Sequence, residues 1–324
     1  MIKALQHTDA ATVANAVKIL SDYGDKAMLM AGGTDLLGML KTRASAVYPE
    51  ILINIKTIPG LDYIKKDNDG LKIGALTRLA DIVDSPAVRE TYPILADAAR
   101  SVATPQIRNM GTLGGNMAQD TRCWYYRYPH GIGNRIMCRR KGTGKCLAVK
   151  GDNRFHAVFN GKQCFAVCPS DMAVALAALD AGIKINGPKG ERLVPVINFY
   201  HPLGLDLGPG EIITEIHIPK PAAGNRQTFI KHRVRESVDF AIVSVGAVLS
   251  MQDKICAGSR IVLGAVAPGP FRATRAEDIL SGRPINKETA EAAALASVAG
   301  AKPLSRNTYK IEIIKALVKK AVLP

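Results

Sequence analysis

The sequence predicts an α+β fold, with short βα units at the front and a strand-rich unit with segregated helices at the back. Three observations carry this. Residues 27–41, AMLMAGGTDLLGMLK, run from an apolar strand through a Gly-Gly turn into an amphipathic helix. Residues 171–181, DMAVALAALDA, form an apolar helical run in mid-chain. From residue 228 onward, three consecutive strand-like segments precede three helical ones, so strands and helices are sorted rather than alternating.

In chain order, DAATVANAVKILSDY (9–23) has apolar residues at helical spacing, with Asp9 or Thr12 as the cap. After the Gly-Gly unit, ILINIKTI reads as a strand and LDYIKKDNDGLKIGALT as a hairpin turning at Asp69-Gly70. RLADIVDSPAVRE and YPILADAARSVA read as helices. A second unit begins near Pro59-Gly60. Beyond 181, IKINGPKGERLVPV is a hairpin and EIITEIHIPKP an alternating strand. PKPAAGN (219–225) is the best linker. TFIKHRV, DFAIVSVGAVLSMQ and KICAGSRIVLGAVAP are antiparallel strands, followed by helices at AEDILSG, KETAEAAALASVAG and NTYKIEIIKALVKKAV.

The 324 residues give room for two or three compact units. The start of the chain has no secretory signal pattern and no apolar run is long enough to span a bilayer, so the expected location is cytoplasmic. The formal charge of +15 raises a nucleic-acid reading. With 5% aromatic residues, and neither zinc-finger spacing nor an RNP-like strand, that reading is remote. More specific is a stretch without acids: Arg122, Arg127, Arg135, Arg139, Arg140, Lys141, Lys145 and Lys150. It is either a solvated basic loop or a docking surface for an acidic partner.

Five of the six cysteines fall between 123 and 168, spaced C-x14-C-x7-C-x17-C-x3-C at Cys123, Cys138, Cys146, Cys164 and Cys168. Clustered thiols in such a chain suggest metal or redox work rather than a disulfide framework. Zinc is one alternative, although the first three cysteines lack paired C-x2-4-C knuckles. Disulfides are another. Cys256 stands alone and reads as an ordinary buried thiol. Just ahead of the thiols lies a second glycine site, Gly111-Thr112-Leu113-Gly114-Gly115-Asn116. Neither this nor residues 31–36 fits the Rossmann or P-loop pattern. Two Gly-Gly turns with free amides could nevertheless grip a dinucleotide pyrophosphate from more than one side.

AGGTDLL together with RNMG-TLGGN resembles the FAD-binding medium subunit of the molybdenum hydroxylase family, which includes xanthine dehydrogenase, carbon monoxide dehydrogenase and 4-hydroxybenzoyl-CoA reductase. PSDMAVALAALDA and FIKHRVRESVDFAIVSVGAVLS extend the resemblance over essentially the whole chain. It implies a two-subdomain FAD-binding fold of the vanillyl-alcohol-oxidase type (1–58 and 59–220), then a C-terminal α+β domain of the CO dehydrogenase flavoprotein type (221–324). FAD would be lined by Leu29, Met30, Ala31, Gly32, Gly33, Thr34, Asp35, Leu36, Val102, Gly111, Thr112, Gly114, Gly115 and Asn116, with Asp171 and Lys231 as further contacts. For Asp171 the helix cap is the competing role.

The detour at 119–168, with QDTRC at its start, resembles the 4-hydroxybenzoyl-CoA reductase beta subunit, which carries a [4Fe–4S] cluster there. Some aldehyde oxidoreductase flavin subunits have a similar loop. The resemblance implies Cys123, Cys138, Cys146 and Cys164 as ligands, Cys164 being preferred to Cys168 because related chains often place His or Tyr before Pro-Ser-Asp. Phe155-His156 stands where the reductase has its last cysteine, leaving His156 as an outside candidate. Such a polar loop would need an ordering agent. The implied role is electron transfer, with a molybdenum large subunit, a [2Fe–2S] small subunit and an acidic carrier such as ferredoxin. The expected substrate is an aromatic acyl-CoA, with an aldehyde or purine as the alternative.

Overall fold

A computed structural model describes residues 2–323 apart from 130, 131 and 133–135, so Arg135 of the basic stretch lies outside the described residues. The chain begins with β1 (Gln6–Asp9), α1 (Val13–Tyr23), β2 (Ala27–Met30), α2 (Leu36–Thr42) and β3 (Ile51–Asn54). These strands form a sheet in the order β1-β3-β2, with both pairings parallel. Parallel neighbours need a crossover, which α1 and α2 supply. Thr12 caps α1, its Oγ1 accepting from the Asn15 amide at 3.1 Å, while Asp9 belongs to β1.

Next come β4 (Ile64–Lys66), β5 (Gly70–Gly74), and the helices α3 (Leu79–Asp84), α4 (Pro86–Thr91), α5 (Pro93–Ser101), α6 (Pro105–Met110) and α7 (Leu113–Ala118). Proline opens α4, α5 and α6, where its missing amide costs nothing. After the cysteine segment, α8 (Asp171–Ala178) leads into β6 (Gly182–Gly187), β7 (Gly190–Pro195), the short pair β8 (Tyr200–His201) and β9 (Gly204–Leu205), and β10 (Ile212–Pro219). An antiparallel sheet runs β4-β5-β10-β6-β7. All eight residues of α8 are buried, as an apolar helix without a polar face requires.

The last unit contains β11 (Asn225–His232), β12 (Val243–Gln252), β13 (Ile255–Gly264), β14 (Phe271–Arg272), α9 (Thr274–Leu280), β15 (Arg283–Pro284), α10 (Lys287–Ser297) and α11 (Tyr309–Val322). Its antiparallel sheet runs β11-β12-β13-β14, with β15 on β13. Val243, Val245, Ala247 and Leu249 of β12 enter a core with α9, α10 and α11. The other face packs on α8, where a Cβ at Gly246 would come within 3.4 Å of the Ala178 Cβ. Burial on both faces explains why β12 reads as an almost unbroken apolar run.

The cysteine segment is stitched to the turn after β13. Val158 and Phe159 donate to the Val266 carbonyl at 2.8 and 3.0 Å, and Cys168 donates to that of Ala267 at 3.1 Å. Phe159 stacks on Phe271 with ring centroids 4.0 Å apart. The expectation of a segment too polar to bury apolar surface is therefore wrong for its second half, because Val158 and Phe159 join the C-terminal core. Among the described residues, no helix is long and apolar enough to cross a membrane.

Lys310 is fully buried at the start of α11, its Nζ donating to the Ala265 carbonyl at 2.7 Å. Ala265 is left-handed (φ 58), so this amine pins a strained turn. Burial lowers Lys310 from the ordinary lysine value to about 7. Its folded pKa lies below its unfolded value, so the unfolded chain binds more protons between the two. Stability should rise with pH from about 7 to about 10.5. Lys310→Met is expected to raise Tm at pH 6 and to flatten that rise, as followed by thermal melts across the window. An unchanged slope would contradict this assignment.

Candidate functional site

The two glycine loops meet. A Cβ on Gly32 would lie 1.9 Å from the Met110 carbonyl oxygen, so only glycine fits where the first loop crosses the end of α6. Gly33 has φ 71. An ideal Cβ on Gly111 would lie 3.6 Å from Thr34 Oγ1, which places the loops side by side. Their donors are used differently. The amides of Gly32, Gly33, Thr34 and Asp35 have no partner among the described residues. In the second loop, by contrast, Gly111 donates to Ile107, Leu113 to Thr77, Gly114 to Ala75 and Asn116 to Thr112, while Gly115 donates to the Thr112 side chain. In the second loop only the Thr112 amide has no partner among the described residues, so most of the free donors lie in the first. Glycines of the second serve close packing, with Gly114 against Ala75.

The remaining sequence-predicted positions flank this junction. Leu29 and Met30 are half-buried on β2, and Leu36 opens α2. Val102 ends α5 and its carbonyl accepts from Arg108 at 2.8 Å. The adjacent Ala103 is left-handed (φ 42), and its carbonyl accepts from Val238, itself at φ 72. Asn116 is buried and accepts from Ser170 Oγ at 2.7 Å. Ser170, not Asp171, caps α8, accepting from the Ala173 amide at 3.0 Å. Asp171 and Lys231 are both buried and pair at 2.6 Å, with Lys231 also donating to the Ser101 carbonyl. Burial raises the Asp171 carboxyl against the lowering effect of Lys231.

Asp35 faces the cysteine segment. Its carboxylate takes Arg127 at 2.7 Å, Arg122 at 3.1 Å and the Asp120 amide at 2.8 Å. Asp120 in turn accepts from Arg140 and from the Tyr126 hydroxyl, each at 2.7 Å. Burial lowers Arg122 to about 10, opposed by Asp35. Lys141 is buried, its Nζ donating to the Ile136 carbonyl. The reading of this stretch as one basic surface is therefore corrected. Arg122, Arg127, Arg140 and Lys141 face inward, whereas Arg139, Lys145 and Lys150 remain exposed.

Cys123, Cys138, Cys146 and Cys164 line one small pocket together with Tyr126, Arg139 and Arg140. All are free thiols. Cys168 is not among the lining residues; burial pushes its thiol up to about 12. Burial likewise raises Cys123 to about 11, so these groups ionise readily only against a cation. Among the described residues, no three His, Cys, Asp or Glu side chains stand as a preset metal-ligand group. The pocket gathers the donors without fixing a coordination sphere. His156 approaches it from outside, with Nε2 3.3 Å from Cys123 Sγ. Burial lowers this histidine to about 4, so it is neutral near pH 7.

Cys123 also borders a cavity of about 400 Å³, lined by Thr121, Trp124, His156, Asp171, Phe240 and Ser244 among others. That volume suits a planar ring system. Two of its lining side chains carry buried atoms without a partner, His156 Nδ1 and Ser244 Oγ. Its outer lip is steadied by an Arg235–Asp239 ion pair and by Arg122 lying 4.7 Å over the Phe240 ring. Sequence reasoning did not single out Ser244, Phe240 or Trp124 as site residues, although Phe240 and Ser244 lie within the FIKHRVRESVDFAIVSVGAVLS stretch that carries the resemblance.

Residues 3–221 match the model of the FAD-binding domain in molybdopterin dehydrogenase, and residues 228–324 that of the CO dehydrogenase flavoprotein C-terminal domain. This chain belongs to the molybdopterin dehydrogenase flavoprotein family. It is 37% identical over 298 residues (89% of this chain, 88% of the relative) to the aldehyde oxidoreductase FAD-binding subunit PaoB of Escherichia coli K12. Over 96% of the chain and 93% of the relative it is 30% identical to the carbon monoxide dehydrogenase medium chain of Hydrogenophaga pseudoflava. The structure of carbon monoxide dehydrogenase from that organism superposes with a TM-score of 0.79 at 29% identity, covering 99% and 96% of the two chains. Quinoline 2-oxidoreductase from Pseudomonas putida 86 gives 0.78 at 26%, with 99% and 96% covered. The chain is thus a flavin-binding oxidoreductase subunit with the family's two-part fold.

Two outcomes follow for the flavoprotein. Gly32→Ala must displace backbone at Met110, and the purified variant is expected to lose most of its bound flavin, read as the ratio of flavin to protein absorbance. Asp35→Ala leaves Arg122 and Arg127 without their counter-ion, at a cost of about 3 kcal/mol. Urea unfolding should show this loss, with limited proteolysis cutting first between 121 and 150. Native-like stability and protection in Asp35→Ala would contradict the role given to this carboxylate.

Proposed function

We propose that this chain is the electron-transfer subunit of a heteromeric molybdenum dehydrogenase, holding FAD at the first glycine loop and a [4Fe–4S] cluster on Cys123, Cys138, Cys146 and Cys164. The observation that carries this reading is the position of Cys123. Its side chain lines both the thiol pocket and the larger cavity, leaving one residue between the two proposed redox sites. When bound, FAD supplies one- or two-electron chemistry and the cluster one-electron chemistry.

The protein's own groups have distinct tasks. The unpaired amides of residues 32–35 offer donors for a pyrophosphate, and Leu29, Met30, Ala31, Thr34, Leu36 and Val102 border that path. Thr112 and Asn116 hold the second loop in place. Asp171, paired with Lys231 behind it, and Ser244 present polar groups to the cavity. Asp35, through Arg122 and Arg127, keeps the thiol pocket against the flavin loop. Arg139 and Arg140 border the thiols, where positive charge favours a reduced, more anionic cluster. With Lys145 and Lys150, the exposed Arg139 offers a basic approach for an acidic carrier such as ferredoxin.

Substrate conversion is assigned to a molybdenum large subunit, with a [2Fe–2S] small subunit completing the complex; this chain itself is divided into three units at 1–58, 59–220 and 221–324. The aldehyde oxidoreductase relative at 37% identity favours an aldehyde as the complex's substrate. QDTRC at 119–123 favours the second reading, an aromatic acyl-CoA reductase.

Iron, zinc and flavin analysis of the purified protein tests this proposal, with EPR after dithionite. About four irons per flavin are expected. The reduced signal should be lost in Cys164→Ser and kept in Cys168→Ser. Flavin with zinc in place of iron would overturn the cluster assignment and leave the flavoprotein standing.

A further inference from the structure

We propose that His156 is a positioning residue for the cluster, donating a hydrogen bond from Nε2 to the Cys123 sulfur and thereby favouring the reduced state. This rests on the cluster reading above and adds a role outside the four ligands. The geometry comes first. Nε2 lies 3.3 Å from Cys123 Sγ, within hydrogen-bonding reach for sulfur, and the residue is 3% exposed. His156 is absent from the lining of the thiol pocket, so it meets Cys123 from the side facing the larger cavity.

The His156 backbone is held on both sides. The His156 amide donates to the Asn153 carbonyl at 3.0 Å, and its carbonyl accepts from Asn307 Nδ2 at 3.0 Å. Asn153 is itself fully buried, with Nδ2 donating to the Ala148 carbonyl at 3.0 Å and Oδ1 accepting from the Arg306 amide at 2.9 Å. Trp124 packs edge-on against the ring at 5.7 Å. With the backbone fixed and the Trp124 and Tyr125 rings beside it, the imidazole is kept facing Cys123.

The chemistry fixes the direction of the bond. A metal-bound thiolate carries no proton and can only accept, so the hydrogen must reside on Nε2. Nδ1 is then a bare acceptor, in keeping with its lack of a protein partner. A hydrogen bond to a cluster sulfur withdraws electron density and stabilises the more negative, reduced form. Arg140, at the border of the thiol pocket, acts only through its charge, which Asp120 already matches. His156 is thus the neutral donor directed at a single ligand, and that ligand is the one on the cavity side.

The test is a dye-mediated redox titration of the iron-loaded protein followed by EPR, comparing native, His156→Leu and His156→Gln. Leucine removes the donor and glutamine retains an N–H. At the potential where the native cluster is half reduced, His156→Leu is expected to lower the reduced-to-oxidised ratio about tenfold, equivalent to about 59 mV for one electron. His156→Gln should recover most of the difference, and iron content should match the native protein in both. Should His156→Leu fail to fold or load iron, the native protein still decides. After transfer to D2O, deuterium ENDOR of its reduced cluster should show an exchangeable proton coupled through Cys123, and His156→Gln should alter that coupling. Coincident titrations of all loaded proteins, or no such proton, would overturn the proposal. A native protein without iron would instead overturn the cluster reading on which it rests.

Discussion

A single carboxylate joins the two halves of the site. Asp35 sits at the end of the first glycine loop, yet its oxygens are spent on Arg122, Arg127 and the Asp120 amide across the cysteine segment. That segment has no acid of its own from 122 to 150 and would repel itself if left free. Its inward-facing cations need counter-ions from outside the stretch, and Asp35 and Asp120 supply them. The ion pairs lie at low exposure, where loss of one partner strands a charge in a poorly solvated place. The loop that offers free amides and the loop that gathers thiols are therefore held together by these ion pairs and by a small apolar cluster of Met39, Ala44, Tyr126 and Cys138.

Rigidity comes from the opposite direction. The sheet of β11 to β14 has apolar contacts on both faces, with α8 on one side and α9 to α11 on the other. Its turn at Ala265, Val266 and Ala267 receives bonds from Lys310, from Val158 and Phe159, and from Cys168. One strained turn thus anchors the segment carrying His156 and the segment entering α8. The cavity lies between this turn and the Asp35 network, with walls drawn from residues over a hundred positions apart.

Much of this was legible in the sequence, for physical reasons that differ by element. The unit from β2 through Gly32-Gly33 to α2 could be read because a strand, a glycine turn and an amphipathic helix each leave a local signature. The same holds for α8 and for the hairpin of β6 and β7. Strand β1 was missed because QHTD is polar and earns its pairing from β3, forty-five residues away. The short helices α6 and α7 were hidden by glycine and proline that normally argue for a loop. Five cysteines in one segment pointed to a shared site, but which of them face one pocket depends on the fold: Cys164 does and Cys168 does not. The net charge misled most, since pairing of Arg122, Arg127 and Arg140 with distant acids cannot be read from composition.

The central claim is that the cysteine segment is an iron-carrying arm locked beside the flavin loop. Anomalous scattering at the iron and zinc edges, from crystals of the purified protein, addresses it most directly. The account predicts one compact iron peak enclosed by Cys123, Cys138, Cys146 and Cys164, with flavin filling the neighbouring cavity and Cys168 outside the peak. A zinc peak at that position, iron bound through Cys168, or a flavin ring lying away from Cys123 would contradict it.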